Sequence, residues 1–230
     1  MPGTARDRSS PSAPVWARQR GGRRPRLTRE AIVAAAIEIA DAEGLEAVSI
    51  RRVAAALGVR PMSLYTHIER KEDLFDLMSD EVNREMIIEG ELPSHWREAI
   101  TLIARREHEV ILRHPWVIDL VARHPRVGPN GLRHGEQNLC ALSGLDVDLA
   151  TAARIVTAVD HYMTGYVIRE RLLRDQRPDH LAEPYIQQMI NEGDFPHLRR
   201  AMREGVPQQE SFEEGLRWLL DGIERSLGRG

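Results

Sequence analysis

The chain has 230 residues, 42% hydrophobic and 29% charged, with a formal net charge of −3. That is enough length and apolar content to bury a core without covalent staples. Its single cysteine, Cys140, excludes an internal disulfide and a cysteine-rich zinc module; no apolar run reaches membrane-spanning length and no export signal opens the chain, so a cytoplasmic location without membrane contact is expected.

The charge is unevenly spread. Residues 1–27 hold seven arginines (Arg6, Arg8, Arg18, Arg20, Arg23, Arg24 and Arg26) against Asp7, a local charge of +6, and Ala47 to Lys71 holds five cations against Glu69, a local charge of +4. A basic N-terminal part on an acidic body suits a polyanion-binding end joined to something that stays off the polyanion. Residues 1–27 are rich in Ser, Pro, Gly and Arg and read as a disordered arm, either a solvated tail or a further DNA contact.

From Thr28 helical periodicity takes over. Thr28 is a helix N-cap, Ile32, Ala36, Ile39 and Ala40 recur on one face, and Gly44 ends the helix. Ser49 caps a second helix carrying Ile50, Val53, Ala54 and Leu57, with Gly58 at its C-terminal turn. Pro61 then opens a third helix to His67, whose apolar edge is Leu64 and Ile68; Met62, Ser63, Tyr65, Thr66 and His67 lie off that edge. Lys71, Glu72 and Asp73 begin a fourth helix expected to reach Glu89. Further helices are expected at about residues 96–113, 116–123, 129–142, 148–173, 181–191 and 209–227, with no strand, so the chain reads as all-α.

Two short helices joined by a glycine-containing turn, preceded by a longer one, make a helix-turn-helix, in which the second helix enters the DNA major groove. Ser49–Leu57 and Pro61–His67 take those places, and the third helix meets the demand of the groove by keeping polar and small side chains outward. The stretch VSIRRVAAALGVRPMSLYTHIERKEDL, from Val48 to Leu74, closely resembles the DNA-binding domain of the tetracycline-repressor (TetR) family of bacterial transcription regulators, through Leu57-Gly58-Val59, Leu64-Tyr65-x-His67-Ile68 and Lys71-x-x-Leu74. The resemblance implies a homodimer. Each N-terminal three-helix domain (28–74) reads half of a palindromic double-stranded operator, and a larger helical domain (75–230) binds a small-molecule inducer and dimerises.

Carried over by residue, the resemblance places Tyr65 and Lys71 at phosphate-contacting positions, with His67 also on the DNA-facing helix. Pro61, Met62 and Ser63 fall where base edges and sugar–phosphate are faced, and Ser49 and Arg51 on the bracing helix. Tyrosine and serine hydroxyls and a lysine ammonium can each donate to phosphate, and arginine can grip guanine through two donors. Lys71 is the only lysine of the chain. Because Pro61 and Met62 offer no polar base-reading group, specificity is expected to be shared among Arg51, the arm arginines and contact of Met62 with thymine methyl groups.

Residues 148–173 carry Ala152, Ile155, Val156, Val159, Tyr162, Met163, Tyr166 and Val167, a stripe wider than one neighbouring helix needs, and 209–227 carries Phe212, Leu216, Leu220, Ile223 and Leu227. Two such helices from each of two chains can form a four-helix bundle, the family's characteristic dimer seam; a purely intramolecular core is the alternative. Leu112-Arg113-His114-Pro115-Trp116 and Gly128-Pro129-Asn130-Gly131 resemble the C-terminal domain of the tetracycline-repressor subgroup. The resemblance implies an inducer pocket, for which Met86, His108, Trp116, Asp160, His161, Tyr162 and Tyr166 are the candidate lining residues because they set polar or aromatic groups among apolar faces. The founding member's metal-coordinating histidine and acid are not matched to positions here, so no metal residue or cofactor is assigned; magnesium-dependent tetracycline binding is the less favoured alternative, and whether the inducer needs a metal is left open.

No His-Glu-x-x-His, phosphate loop, nucleophile elbow or dinucleotide fingerprint occurs, which speaks against an enzyme. A ligand-responsive DNA-binding regulator, most simply a repressor released by its inducer, is expected; the rival reading is a helical interaction protein that binds no operator.

Overall fold

Thr28 begins the first helix, α1 (Arg29–Glu43), its hydroxyl accepting the Ala31 N–H at 3.1 Å. In the computed structural model, which describes residues 27–175, 184–205 and 211–228, the basic arm lies outside the described residues except for Leu27. After a turn of 3₁₀ helix at Leu45–Ala47 come α2 (Ile50–Ala56), capped by Ser49, α3 (Pro61–Leu64), α4 (Lys71–Met86), α5 (Trp96–Arg113), α6 (Trp116–Arg123) and α7 (Pro129–Ala141). A second compact unit begins at Val147 and holds α8 (Leu149–Asp175), α9 (Pro184–Glu192), α10 (Pro196–Glu204) and α11 (Phe212–Leu227). No strand occurs among the described residues. The chain is all-α.

In the first unit α4 is the hub, packing against α1, α5, α6 and α7. Its Leu74, Met78 and Val82 are fully buried. On the same helix Asp73, Asp76 and Asp80, at i, i+3 and i+7, each tie down something different. Asp73, 1% exposed, accepts the N–H groups of Glu69 (2.9 Å) and Arg70 (3.2 Å) and so caps α4 itself. Asp76 takes Arg126 at 3.0 Å. Asp80 accepts the Asn130 N–H (2.8 Å), its side-chain amide (2.9 Å) and the Gly131 N–H (3.2 Å), fixing the first turn of α7.

That last cap explains Gly128. A Cβ there would stand 2.3 Å from Asp80 Oδ1 and 2.9 Å from its Cβ, and the carboxylate cannot swing away without abandoning the α7 donors. Gly128→Ala is therefore expected to cost about 2 kcal/mol of stability, read as a lower urea midpoint at unchanged slope.

Two helix ends and one whole helix stand out against the sequence expectation. The third helix is regular only over Pro61–Leu64, because Thr66 spends its hydroxyl on the Ser63 carbonyl (2.7 Å); the chain continues as a turn in which Ile68 N–H still reaches the Leu64 carbonyl. α4 stops at Met86 rather than Glu89, since the Gln137 side chain both accepts the Ile88 N–H (2.9 Å) and donates to its carbonyl (2.8 Å). α10, opened by Pro196, was not anticipated at all.

In the second unit α8 packs on α11. Asp148 caps α8, accepting the Thr151 N–H at 2.6 Å, and hydrogen bonds from Thr151 hold its carboxyl below the ordinary range. Leu216 and Leu220 of α11 are 1% exposed, and Gly215 lets Tyr162 lie close: a Cβ there would be 2.4 Å from the phenol oxygen. No described helix is long and apolar enough to cross a membrane.

Candidate nucleic-acid interface

The turn between α2 and α3 works by division of faces. Val53 and Ala54 of α2, Leu64 of α3 and Ile68 just beyond are 0–1% exposed and seat the pair on the body. Gly58, at φ +65, makes the reversal between them, a conformation other residues adopt only with strain. What remains points outward: Met62 is 73% exposed and Tyr65 45%, Arg51 and Pro61 are exposed, and Ser49, Ser63, His67 and Lys71 are half-buried. All eight candidate DNA-contacting residues thus lie at the surface along Ser49–Lys71.

Their immediate contacts set what each can still do. Ser49 accepts the Arg52 N–H with its oxygen at 3.1 Å, which leaves its own hydroxyl proton for another acceptor. The Lys71 ammonium sits 4.8 Å above the Phe75 ring centroid, a cation–π contact that holds the head in place without using its donors on a carboxylate. Arg52, by contrast, is spent on Glu43 at 2.5 Å. Arg29 donates to the His67 carbonyl at 3.2 Å and ties the start of α1 to the turn after α3. Arg60 and Thr66 are exposed in the same stretch; from the sequence Thr66 was placed on the outward face of the third helix but neither residue was among the DNA-contact candidates, and a cation directly before Pro61 was the available signal for Arg60.

Behind this surface the head is fastened to α5 and α6. Asp41 Oδ1, at the end of α1, accepts from His114 Nδ1 (2.8 Å) and Trp116 Nε1 (2.6 Å), while Glu85 of α4 pairs with Arg113 at 2.9 Å and lies 3.5 Å from His114 Nε2. His114 and Trp116 are buried, 6% and 3% exposed. An outer bridge joins Glu46 to Arg123 at 2.5 Å, and the Arg123 hydrogen bond, then its charge, holds the Glu46 carboxyl below its ordinary value. A depressed carboxylate stabilises the fold above the unfolded pKa and loses that contribution as pH falls through the folded one. The expected result is that Arg123→Gln lowers stability slightly at neutral pH and not at all in acid, checked by urea unfolding at both; the effect is small because the pair is exposed.

The candidate inducer residues fall into two groups. In the first unit, Met86 is buried at the end of α4, His108 is half-buried on α5, and Trp116 is engaged with Asp41. In the second, Tyr162 donates to the Phe212 carbonyl at 2.8 Å and packs with Tyr166 and Phe212, ring centroids 5.3–6.1 Å apart, while Asp160 and His161 are exposed on α8. The structure brings Tyr162 and Tyr166 together with Phe212, which was taken from the sequence only as a packing residue.

Residues 32–78 match the family described as bacterial regulatory proteins, tetR family, and residues 89–227 match the tetracyclin repressor-like C-terminal domain. The HTH-type transcriptional repressor DrrR1 of Streptomyces coeruleorubidus is 32% identical over 215 residues, covering 88% of this chain and 79% of that one. An HTH-type transcriptional regulator of Saccharopolyspora erythraea is 31% identical over 229 residues, 98% of this chain and 97% of the relative. The solved structure of ActR from Streptomyces coelicolor in complex with actinorhodin superposes with a TM-score of 0.70 at 25% identity, over 88% of this chain and 99% of that one. With its outward-facing helix-turn-helix and both halves matched, the chain belongs to the TetR family of bacterial transcription regulators.

Proposed function

We propose that this protein is a cytoplasmic, homodimeric repressor, without enzymatic activity, that binds a palindromic operator and leaves it when a small molecule occupies its C-terminal helices. The observation that carries the reading is the outward face of α3 and its following turn, where Met62 and Tyr65 are exposed directly opposite the buried Leu64 and Ile68. A helix held only by one edge is what a groove about 12 Å wide admits. Ser49, Arg51, Pro61, Met62, Ser63, Tyr65, His67 and Lys71 are the proposed DNA contacts, with residues 28–74 as the reading head and 75–230 as the sensing and dimerising part.

Dimerisation is supported by apolar side chains left on the helices of the second unit: Ile168 and Leu172 of α8 and Trp218 of α11, the last 60% exposed. Trp218→Arg is expected to shift the protein toward monomer in size-exclusion chromatography and to lower operator affinity with it.

Release requires that the inducer favour a dimer whose two α3 turns are no longer about 34–36 Å apart, the spacing of successive major grooves. A differential affinity of about 1–3 kcal/mol suffices for a 5–150-fold change. α4 is the proposed lever. It begins at Lys71 beside the reading turn, ends near Glu85 against Arg113 and His114, and faces α1 across an open cleft of about 540 Å³ between Val33, Ile37 and Leu77. The relatives named as repressors, and ActR solved with actinorhodin, support the same direction of control.

Selection of bound fragments from random DNA tests the reading. An enriched inverted repeat with half-sites one helical turn apart is the expected result; recovery without any sequence enrichment would favour the interaction protein and overturn the repressor.

A further inference from the structure

The buried polar side chains of the first unit serve the fold itself: Asp73 caps α4, His114 meets Asp41, and Glu107 of α5 meets His134 of α7, Oε1 to Nε2 at 2.5 Å. The open cleft between α1 and α4 is arranged the other way round. Its floor is apolar, made by Val33, Ile37 and the half-buried Leu77, and its rim is acidic. Five carboxylates line it against one cation, Arg29, whose guanidinium donates to the His67 carbonyl. Two of the five are spent elsewhere, Asp80 on the start of α7 and Glu85 on Arg113. Along α1 the exposed stripe reads Glu30, Ala34, Glu38, one turn apart, so the small alanine leaves the space between two carboxylates open.

An acidic groove in a DNA-reading head repels the phosphate backbone, so DNA is not what it is shaped to hold. The complementary chemistry is an apolar anchor followed by cations, and the chain carries that pattern directly before α1. Among residues 1–26 the large apolar side chains beyond Met1 are Val15 and Trp16, and the stretch after them holds Arg18, Arg20, Arg23, Arg24 and Arg26 with no acid. The described part opens at the buried Leu27, two residues before Arg29, which lines the cleft. Ten residues separate Trp16 from Leu27, with Gly21-Gly22 midway for a reversal. Extended, they reach up to about 33 Å. The cleft needs less, since from Arg29 to Glu38 α1 rises only about 14 Å.

We propose that this cleft is the docking site of the chain's own N-terminal arm, with Trp16 on Val33, Ile37 and Leu77 and the arginines after it against Glu38 and Glu81. Exposed ion pairs are individually weak, and the same contacts would hold a separate peptide poorly. The tether changes the balance, because it keeps the arm at an effective concentration in about the millimolar range. The same arginines cannot face these carboxylates and phosphate at once. A duplex therefore has to take the arm from the cleft before the arm can add to DNA binding. The docking does not depend on the repressor reading above; the competition with operator does.

The test uses the full-length protein, without DNA, with Trp16 replaced by the photoreactive aromatic p-benzoylphenylalanine. Irradiation is expected to join residue 16 to residues 33–38 or 77–81 of the same chain, located by peptide mass spectrometry. Ala34→Arg should cut that yield at least about fivefold, because a guanidinium there lies one turn from both Glu30 and Glu38 and takes the carboxylates the arm would use. Position 34 is exposed, so the fold is kept. Glu38→Gln, which removes one charge and no volume, should cut the yield about twofold. No crosslink to those segments, or equal yields in Ala34→Arg and its parent, would overturn the docking. A dominant product of doubled mass would give the cleft to a second copy and overturn it as well. Added operator duplex should then lower the cleft crosslink in proportion to the protein bound. A crosslink unchanged at saturation would overturn the competition, whereas a protein that binds no operator would strike the repressor reading and leave the docking result standing.

Discussion

Operator binding by a Tyr65→Phe/Lys71→Ala variant will be about 100-fold weaker than that of the unaltered protein, with a flatter dependence on salt. Each lost phosphate contact is worth about 0.5–1 kcal/mol, and in a dimer each substitution acts twice, which brings the total near 2.7 kcal/mol. The salt slope should fall by about two through Lys71 alone, whereas Tyr65→Phe, which removes no charge, should leave it unchanged. Fluorescence anisotropy on the selected operator over a range of salt concentrations separates the two. The fold should be unaffected, because Tyr65 is 45% exposed and Lys71 rests on Phe75 without pairing to a buried acid. Lys71 is also the sole lysine, so acetylation followed by mass spectrometry reports on one side-chain amine, and operator DNA is expected to shield it. An unprotected Lys71 in a complex that forms normally would remove it from the interface.

The second large effect is on stability. Asp41→Ala should lower the unfolding free energy by about 2–3 kcal/mol, since it strips one acceptor from two buried donors, His114 Nδ1 and Trp116 Nε1. Asp41→Asn keeps an oxygen in place and should cost only about 1 kcal/mol, the difference measuring the charge. Glu43→Ala, which breaks an exposed pair with Arg52 two residues away, is the control and should stay within about 0.5 kcal/mol. If the two aspartate variants unfolded at the same denaturant concentration as Glu43→Ala, the junction would be solvated and of no structural weight.

What could be read directly from the chain was whatever is encoded within a few neighbouring residues. α5 and α6 begin and end where expected, at Trp96, Arg113, Trp116 and Arg123, because His114-Pro115 is a local break. The caps Thr28 and Ser49 and the outward residues of α3 follow from side-chain type and spacing alone. The features that escaped depend on distant partners. α4 ends early through Gln137, which is 49 residues beyond Ile88. Asp73, Asp76 and Asp80 look in sequence like the solvated face of an amphipathic helix, yet their partners reach as far as Arg126 and Asn130. Glu107 and His134 are 27 residues apart and acquire meaning only when α5 meets α7. Among the inducer candidates, Trp116 was chosen as an aromatic among apolar neighbours, and its indole N–H proves to be committed to Asp41.

α4 touches four other helices and is anchored at one end by its own Asp73 and near the other by Glu85. At about 3.6 residues per turn, inserting or deleting one residue between those anchors would swing Lys71 by roughly 100° around the helix axis and shift it by about 1.5 Å. The spacing from Lys71 to Glu85 thus behaves like a gear ratio, so homologues that differ freely in loop length should share it to the residue.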